Sequence, residues 1–229
     1  MTVRINKDAL NLREELTKAQ SVVPYSQQQF WMDGLVENGT FDNGTVGWTA
    51  QGSSLSVVNG FLRVTNVGGS NDYAYQIKNV LTAGKKYKFY FTIGIDKTGA
   101  SNVYIGQGTT SSGLFDDYYA ATGLSPGDYS GTFTAQSETL SIYLGSYSTD
   151  GVHVDYDNVA VFEVDENDNV IHSLPLGFKP LHVYEDGLIQ REGDVHDYTV
   201  VKTGGAYAIK PAVQPTATTE TCVIAEREL

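Results

Sequence analysis

Few residues in this chain have the type and spacing that covalent chemistry needs. The four histidines, His153, His172, His182 and His196, do not cluster, and His153 and His182 fall in strand-like runs where a packed imidazole is the ordinary outcome. The lone Cys222 lies between Thr221 and Val223 with no basic neighbour to activate a thiolate, so it reads as a small buried apolar residue. The Gly-x-Ser-x-Gly, His-Glu-x-x-His, Walker and Gly-x-Gly-x-x-Gly patterns are all absent from the sequence. Among the carboxylates, Asp116-Asp117 is the most suggestive pair for the acid and nucleophile of glycoside hydrolysis, with Phe115 and Tyr118-Tyr119 on its two sides. Adjacent residues point apart, however, so the pair reads as a solvated loop tip. The run from Asp165 to Asn169 imitates a calcium loop, but Val170 stands where that loop needs glycine and no closing Glu follows, which leaves a turn. No enzyme is expected.

Binding is a better match to the residues present. Tyr (15), Phe (9) and Trp (2) are abundant, and sugar recognition needs a cleft of aromatic faces with polar hydrogen-bonders between them. Tyr73, Tyr75, Tyr118 and Tyr119 are the candidate glycan-contacting residues, although half of any aromatic set in a sandwich belongs to its core.

Composition narrows the partners. Fifteen basic against 27 acidic residues give a net charge of −12, which disfavours nucleic acid and anionic membrane surfaces alike. The apolar runs are too short to span a bilayer. A single cysteine excludes an intrachain disulfide framework and a cysteine zinc site. Met1 to Gln20 is charged and lacks the apolar core of a signal peptide, so synthesis in a reducing cytoplasm is expected.

Three segments position these residues. In the first, Ile5, Ala9, Leu12, Leu16, Ala19 and Val23 recur at steps of four and three, a heptad seam, with Glu14 and Lys18 as a supporting pair. Pro24 ends it, and Gln27, Gln28 and Gln29 follow as a polar connector. Under three heptads do not hold a helix alone, so it must pack on copies of itself, the domain behind it or a partner, and residues 1–34 are expected to dock or oligomerise. The second segment, 35–164, carries strand-like runs at Ser54–Val58, Phe61–Thr65, Tyr73–Lys78, Lys86–Ile95, Ser101–Gly106, Tyr129–Thr134, Thr139–Leu144 and Val152–Val161. Asn59-Gly60 has the form of a two-residue hairpin turn. Tyr87, Phe89 and Phe91 alternate with Lys86, Lys88 and Tyr90, which puts an aromatic row on one face. Residues 165–173 read as an acidic linker. The third segment, 174–229, is a small β module with turns at Glu185-Asp186-Gly187 and Gly204-Gly205 and a last strand over Thr219–Ala225. The fold class expected is all-β: a jelly-roll sandwich between a short helical segment and a small β module.

Leu35-Val36-Glu37-Asn38-Gly39-Thr40-Phe41-Asp42, followed by Gly47-Trp48, resembles the opening of jelly-roll carbohydrate-binding modules related to cellulose- and xylan-binding domains. Tyr156-Asp157-Asn158-Val159-Ala160-Val161-Phe162-Glu163 resembles their closing strand. The resemblance implies a structural calcium tying the first strand to the last, with Asp157 the best ligand and Asn38 and Asp42 in the region supplying others. No other cofactor is implied, and sugar-contacting positions do not transfer, because family members use different surfaces. Val183 to Arg191 with Asp197-Tyr198-Thr199-Val200 resembles a β module of phage tail and fibre proteins, and Val3 to Leu16 resembles the start of phage appendage proteins. Together these imply a structural protein of a tailed-phage particle: a capsid decoration (cement) protein or short head fibre on the capsid exterior. It would be a homotrimer docked on the major capsid protein or another virion protein. The alternative is a tail-fibre or free module that binds host-surface glycans.

Overall fold

The computed structural model describes residues 27–32, 34–68, 72–96, 101–107, 117–147, 150–193, 197–203, 205–215 and 219–228. Their regular secondary structure is entirely β. The strands are β1 (Gln27–Trp31), β2 (Thr49–Gln51), β3 (Ser53–Val58), β4 (Phe61–Asn66), β5 (Tyr73–Asn79), β6 (Lys86–Asp96), β7 (Ser101–Gly106), β8 (Asp117–Thr122) and β9 (Gly127–Thr134). They continue with β10 (Thr139–Ser146), β11 (His153–Val164), β12 (His172–Ser173), β13 (Phe178–Glu185), β14 (Leu188–Ile189), β15 (Tyr198–Thr203), β16 (Ala206–Pro211) and β17 (Thr221–Arg227). The chain divides into two compact units.

The larger unit, from Gly34 to Val170, is a sandwich of two five-stranded antiparallel sheets, in the orders β2-β5-β10-β7-β8 and β3-β4-β11-β6-β9. Alternation builds its core. On β6, Tyr87, Phe89, Phe91 and Ile93 are at most 2% exposed and join the core cluster, and the residues between them face out. Each such side chain contributes about 1.5–3 kcal/mol by leaving water. Tyr87 stacks on Phe133, and Phe91 stacks on Tyr129 of the neighbouring strand. The Asn59-Gly60 turn joins β3 to β4 with both residues at positive φ (54° and 85°), as a type I′ hairpin requires.

The smaller unit pairs β1-β17-β13-β14 in one sheet and β12-β16-β15 in another. Among the described residues its core cluster is Leu174, Val183, Tyr198, Ile209, Val223 and Ala225. Cys222 is fully buried, and the turns at Asp186-Gly187 and Gly205 join paired strands.

Several local expectations need correction. The Gln27–Gln29 connector is a strand, because β17 offers it a full antiparallel partner from Gln27↔Glu226 to Trp31↔Cys222. Tertiary pairing overrides weak intrinsic preference there. The strand β8 begins at Asp117, where a loop tip was expected, since β7 supplies its ladder. The 165–173 stretch folds back rather than linking freely: Val170 bridges Val164 and is fully buried, and His172–Ser173 is already a strand of the small unit. The helical seam of Ile5, Ala9, Leu12, Leu16, Ala19 and Val23, and Asp116, lie outside the described residues.

Candidate functional site

The opening motif of the sandwich is a folded clasp. The Asn38 amide donates to the carbonyls of Gly44 (2.9 Å) and Val46 (3.0 Å), and its Oδ1 accepts from the backbone N–H of Asn43 (3.1 Å). Trp48 donates its ring N–H to the Asn38 carbonyl at 3.2 Å. Gly39 must be glycine, because a Cβ there would stand 1.8 Å from the carbonyl oxygen of Val159, whose N–H bonds back to Gly39 at 2.9 Å. Phe41 sits at φ 58°, a costly conformation for a bulky side chain, and is repaid by full burial against Trp48. The first and last parts of the sandwich chain are thereby stitched together.

Asp157 lies beside this stitch. Its Oδ1 is buried without a hydrogen-bond partner. Burial raises its pKa above the ordinary carboxylate value, a hydrogen bond from Asn158 opposes the shift, and the nearby Asp42 charge adds to it. Two carboxylates held near each other with one oxygen unsatisfied suit a hard cation that takes oxygen ligands. The third expected ligand, Asn38, has its amide engaged in the clasp, where Oδ1 accepts from the Asn43 N–H. Among the described residues no group of three or more His, Cys, Asp or Glu could hold a metal ion, so backbone carbonyls or water would supply the remaining ligands.

The outer face of the β2-β5-β10-β7-β8 sheet is the second feature. On β10, Leu140, Ile142 and Leu144 enter the core, so Ser141, Tyr143 and Gly145 face away. The register then defines rows across the strands. One row runs Thr49, Tyr75, Tyr143, Tyr104, Ala120, and beside it runs Gln51, Tyr73, Gly145, Asn102, Thr122. Tyr143 is 1% exposed and stacks on Tyr75 (5.4 Å), with Tyr73 edge-on to it (5.8 Å). Tyr73 also packs against Tyr104 at 6.1 Å. Its ring lies where a Cβ on Gly145 would be, and its hydroxyl accepts from the Asn102 amide at 3.1 Å. Tyr75 and Tyr104 are half-buried. None of the described side chains in these two rows is charged.

Buried Tyr156 of β11 braces the face from the opposite sheet. Its hydroxyl donates to the Gly145 carbonyl (2.6 Å) and accepts from the Asn102 N–H (3.3 Å), locking two adjacent strands of the face. Burial raises the Tyr73 pKa well above the usual phenol range, helped by Tyr104 through its charge and a hydrogen bond, and burial likewise raises that of Tyr143. These phenols therefore stay protonated, able to donate and to accept.

Of the four tyrosines singled out by sequence, Tyr73 and Tyr75 lie on this face and Tyr118 and Tyr119 do not. Tyr119 packs on Phe89 at 4.8 Å, and Tyr118 stacks on Phe133 at 4.3 Å with its hydroxyl tied to Gln107 and the Gln136 N–H. Tyr104, Tyr143 and Asn102 were missed. The alternation of Ser141, Tyr143 and Gly145 against Leu140, Ile142 and Leu144 carried the signal for Tyr143. Only the strand register reveals that Tyr75 and Tyr104 stand opposite it.

No curated protein sequence matches this chain. Among solved structures, it is similar to a CBM4 module (TM-score 0.45, 21% identity, over 56% of this chain and 99% of that one). It is also similar to the CBM22-1–GH10 modules of Clostridium thermocellum endo-1,4-β-D-xylanase 10B complexed with xylohexaose (0.44, 20%, 59% and 29%). A third likeness is to the N-terminal cellulose-binding domain of Cellulomonas fimi β-1,4-glucanase C (0.43, 20%, 57% and 97%). At these TM-scores the likenesses add nothing to the assignment, which rests on sequence. The model of the carbohydrate binding domain family CBM_4_9 matches residues 33–151, more than half of the 229. The chain belongs to the carbohydrate binding domain family.

Proposed function

We propose that the sandwich binds a neutral glycan chain, without cleaving it, across the outer face of the β2-β5-β10-β7-β8 sheet. The observation that carries this is the tyrosine row Tyr75–Tyr143–Tyr104, set on three neighbouring strands with Tyr73 and Asn102 beside it. Two strand spacings separate its ends by about 10 Å, enough for more than one sugar ring. Tyr75 and Tyr104 supply the apolar faces on which pyranose C–H groups stack, Tyr143 and Tyr73 hold them in place, and the phenols and amides take the hydroxyls. The absence of charge among the described side chains of the rows favours neutral over acidic polysaccharide. Affinity electrophoresis and calorimetry with soluble xylan and a soluble cellulose-type β-glucan test the reading, since the opening and closing motifs resemble those of xylan- and cellulose-binding modules. Tyr75→Ala and Tyr104→Ala should each weaken binding at least about tenfold, the size expected for a stacking anchor. Unchanged binding in both variants would remove the face from consideration.

Asp157 and Asp42 are proposed as ligands of a structural calcium ion, which would supply charge neutralisation at the stitch and no catalysis. The support is the orphaned Asp157 oxygen beside a second carboxylate. The virion role expected from sequence, with a homotrimer on a capsid protein, rests on the N-terminal seam and on the phage-like patterns. Mass by light scattering, with and without residues 1–26, tests the homotrimer directly.

A further inference from the structure

Three Asn-Gly pairs occur in this chain: Asn38-Gly39, Asn43-Gly44 and Asn59-Gly60. Such pairs are chemically labile, because the glycine amide nitrogen can attack the asparagine side chain with little steric resistance. The fold treats the three differently. Asn38 is immobilised by the three hydrogen bonds of the clasp, and Gly39 is buried under β11. The Gly44 N–H, which would have to attack Asn43, is donated to the Phe41 carbonyl at 3.0 Å. Asn59 and Gly60 are both exposed, and open space surrounds Gly60. The β3–β4 ladder closes at Val58↔Phe61, which leaves both turn residues outside it.

We infer that Asn59 is a spontaneous modification site, a deamidation point selected by the fold from three sequence-equivalent pairs. The deprotonated Gly60 nitrogen attacks Asn59 Cγ. The N–Cγ bond forms, the Cγ–Nδ2 bond breaks, and the side-chain nitrogen leaves as ammonia with a proton from solvent. Water then opens the succinimide at either carbonyl. One route leaves an aspartyl residue at 59, and the other an isoaspartyl residue whose main chain runs through Cβ and Cγ. The isoaspartyl form adds a backbone carbon to a two-residue turn whose geometry depends on positive φ at both positions. It therefore undoes the Val58↔Phe61 closure and frees the tip of β3, an edge strand of its sheet. The new carboxylate also adds charge at the tip. The inference does not depend on glycan binding.

Incubating the full chain in mildly alkaline buffer and following peptides by mass, with enzymatic isoaspartate detection, tests this. In the folded protein, residue 59 should convert at least about tenfold faster than Asn38 or Asn43, the protection that local structure gives. In the urea-unfolded chain the three should converge. Asn59→Asp, which keeps a residue favoured in this turn, should abolish the early mass gain of the folded protein. Conversion led by Asn38 or Asn43 in the folded chain would overturn the inference. So would an inert Asn59 beside a reactive unfolded control, or an undiminished early mass gain in the Asn59→Asp variant.

Discussion

The two units solve the same packing problem with very different means. The sandwich buries a continuous aromatic core, in which Tyr87, Phe89, Phe91 and Tyr156 are each at most 2% exposed. Among the described residues the small unit has a core cluster of six buried residues, and it recruits a strand from the other end of the sequence, β1, to flank its central β17. A large core tolerates local irregularity such as the positive φ of Phe41. A small one depends on every pairing, because little surface is available to bury. Stability should therefore be unequal, and the sandwich should outlast the module.

The sharpest way to break that comparison is to damage each core once. Ile209→Ala removes a fully buried side chain from the small unit and should cost about 2–5 kcal/mol. In so small a core that is enough to melt the unit by itself, so calorimetry should show a separate early transition. A single cooperative melt would mean that the units share their stability. Gly39→Ala in the sandwich forces a Cβ into the Val159 backbone and should cost about 3 kcal/mol or more, lowering the later transition only.

Acid separates the units by sign. His172 in the small unit is held near pKa 4 by burial, against an ordinary 6.5. The unfolded chain therefore takes the proton first. The stability tied to neutral His172 is whole above pH 6.5 and is lost as pH falls towards 4, roughly 3 kcal/mol in all. Asp157 does the opposite: burial raises its native pKa, so the folded sandwich binds the proton first. Its penalty is absent below the ordinary value of 3.8 and grows as pH rises through the native pKa. Melts at stepped pH should show the small unit weakening first, and His172→Gln should flatten its curve.

Smaller effects sharpen the picture of the face. Tyr156→Phe leaves the Gly145 carbonyl and the Asn102 N–H without their buried partner, for about 1–3 kcal/mol, and should also weaken glycan binding although residue 156 cannot touch the sugar. Thermal shift without loss of binding would make Tyr156 purely structural. Calcium at a hundredfold excess over its dissociation constant should stabilise the sandwich by about 2.7 kcal/mol, and Asp157→Asn should erase that response. An equal response in the variant would place the ion elsewhere.

Much of this was legible in the sequence. The Lys86–Phe91 alternation gave the core strand β6, Asn59-Gly60 gave the β3–β4 turn, and the opening and closing motifs pointed to the carbohydrate-binding family. What stayed hidden depended on long-range partners. The Gln27–Gln29 run has no strand signal of its own and becomes one only because β17 lies beside it. Tyr118 and Tyr119 looked like sugar platforms because adjacent aromatics at a presumed loop tip seem presentable, yet β8 turns them onto Phe133, Phe89 and Phe91. The tyrosine row exists only through register, since Tyr75, Tyr104 and Tyr143 are widely separated along the chain.

The pairing of β1 with β17 also changes how the molecule can be taken apart. The small unit's chain is interrupted after residue 33 and resumes at residue 171, so the sandwich is an insertion within its host rather than a bead before it. Both ends of a sandwich whose opening and closing segments are stitched at Gly39 and Val159 emerge close together, the geometry under which insertions are tolerated. In engineering terms the sandwich is a cassette. Splicing it out with a short linker should leave a host that still folds, and another stitched sandwich could take its place.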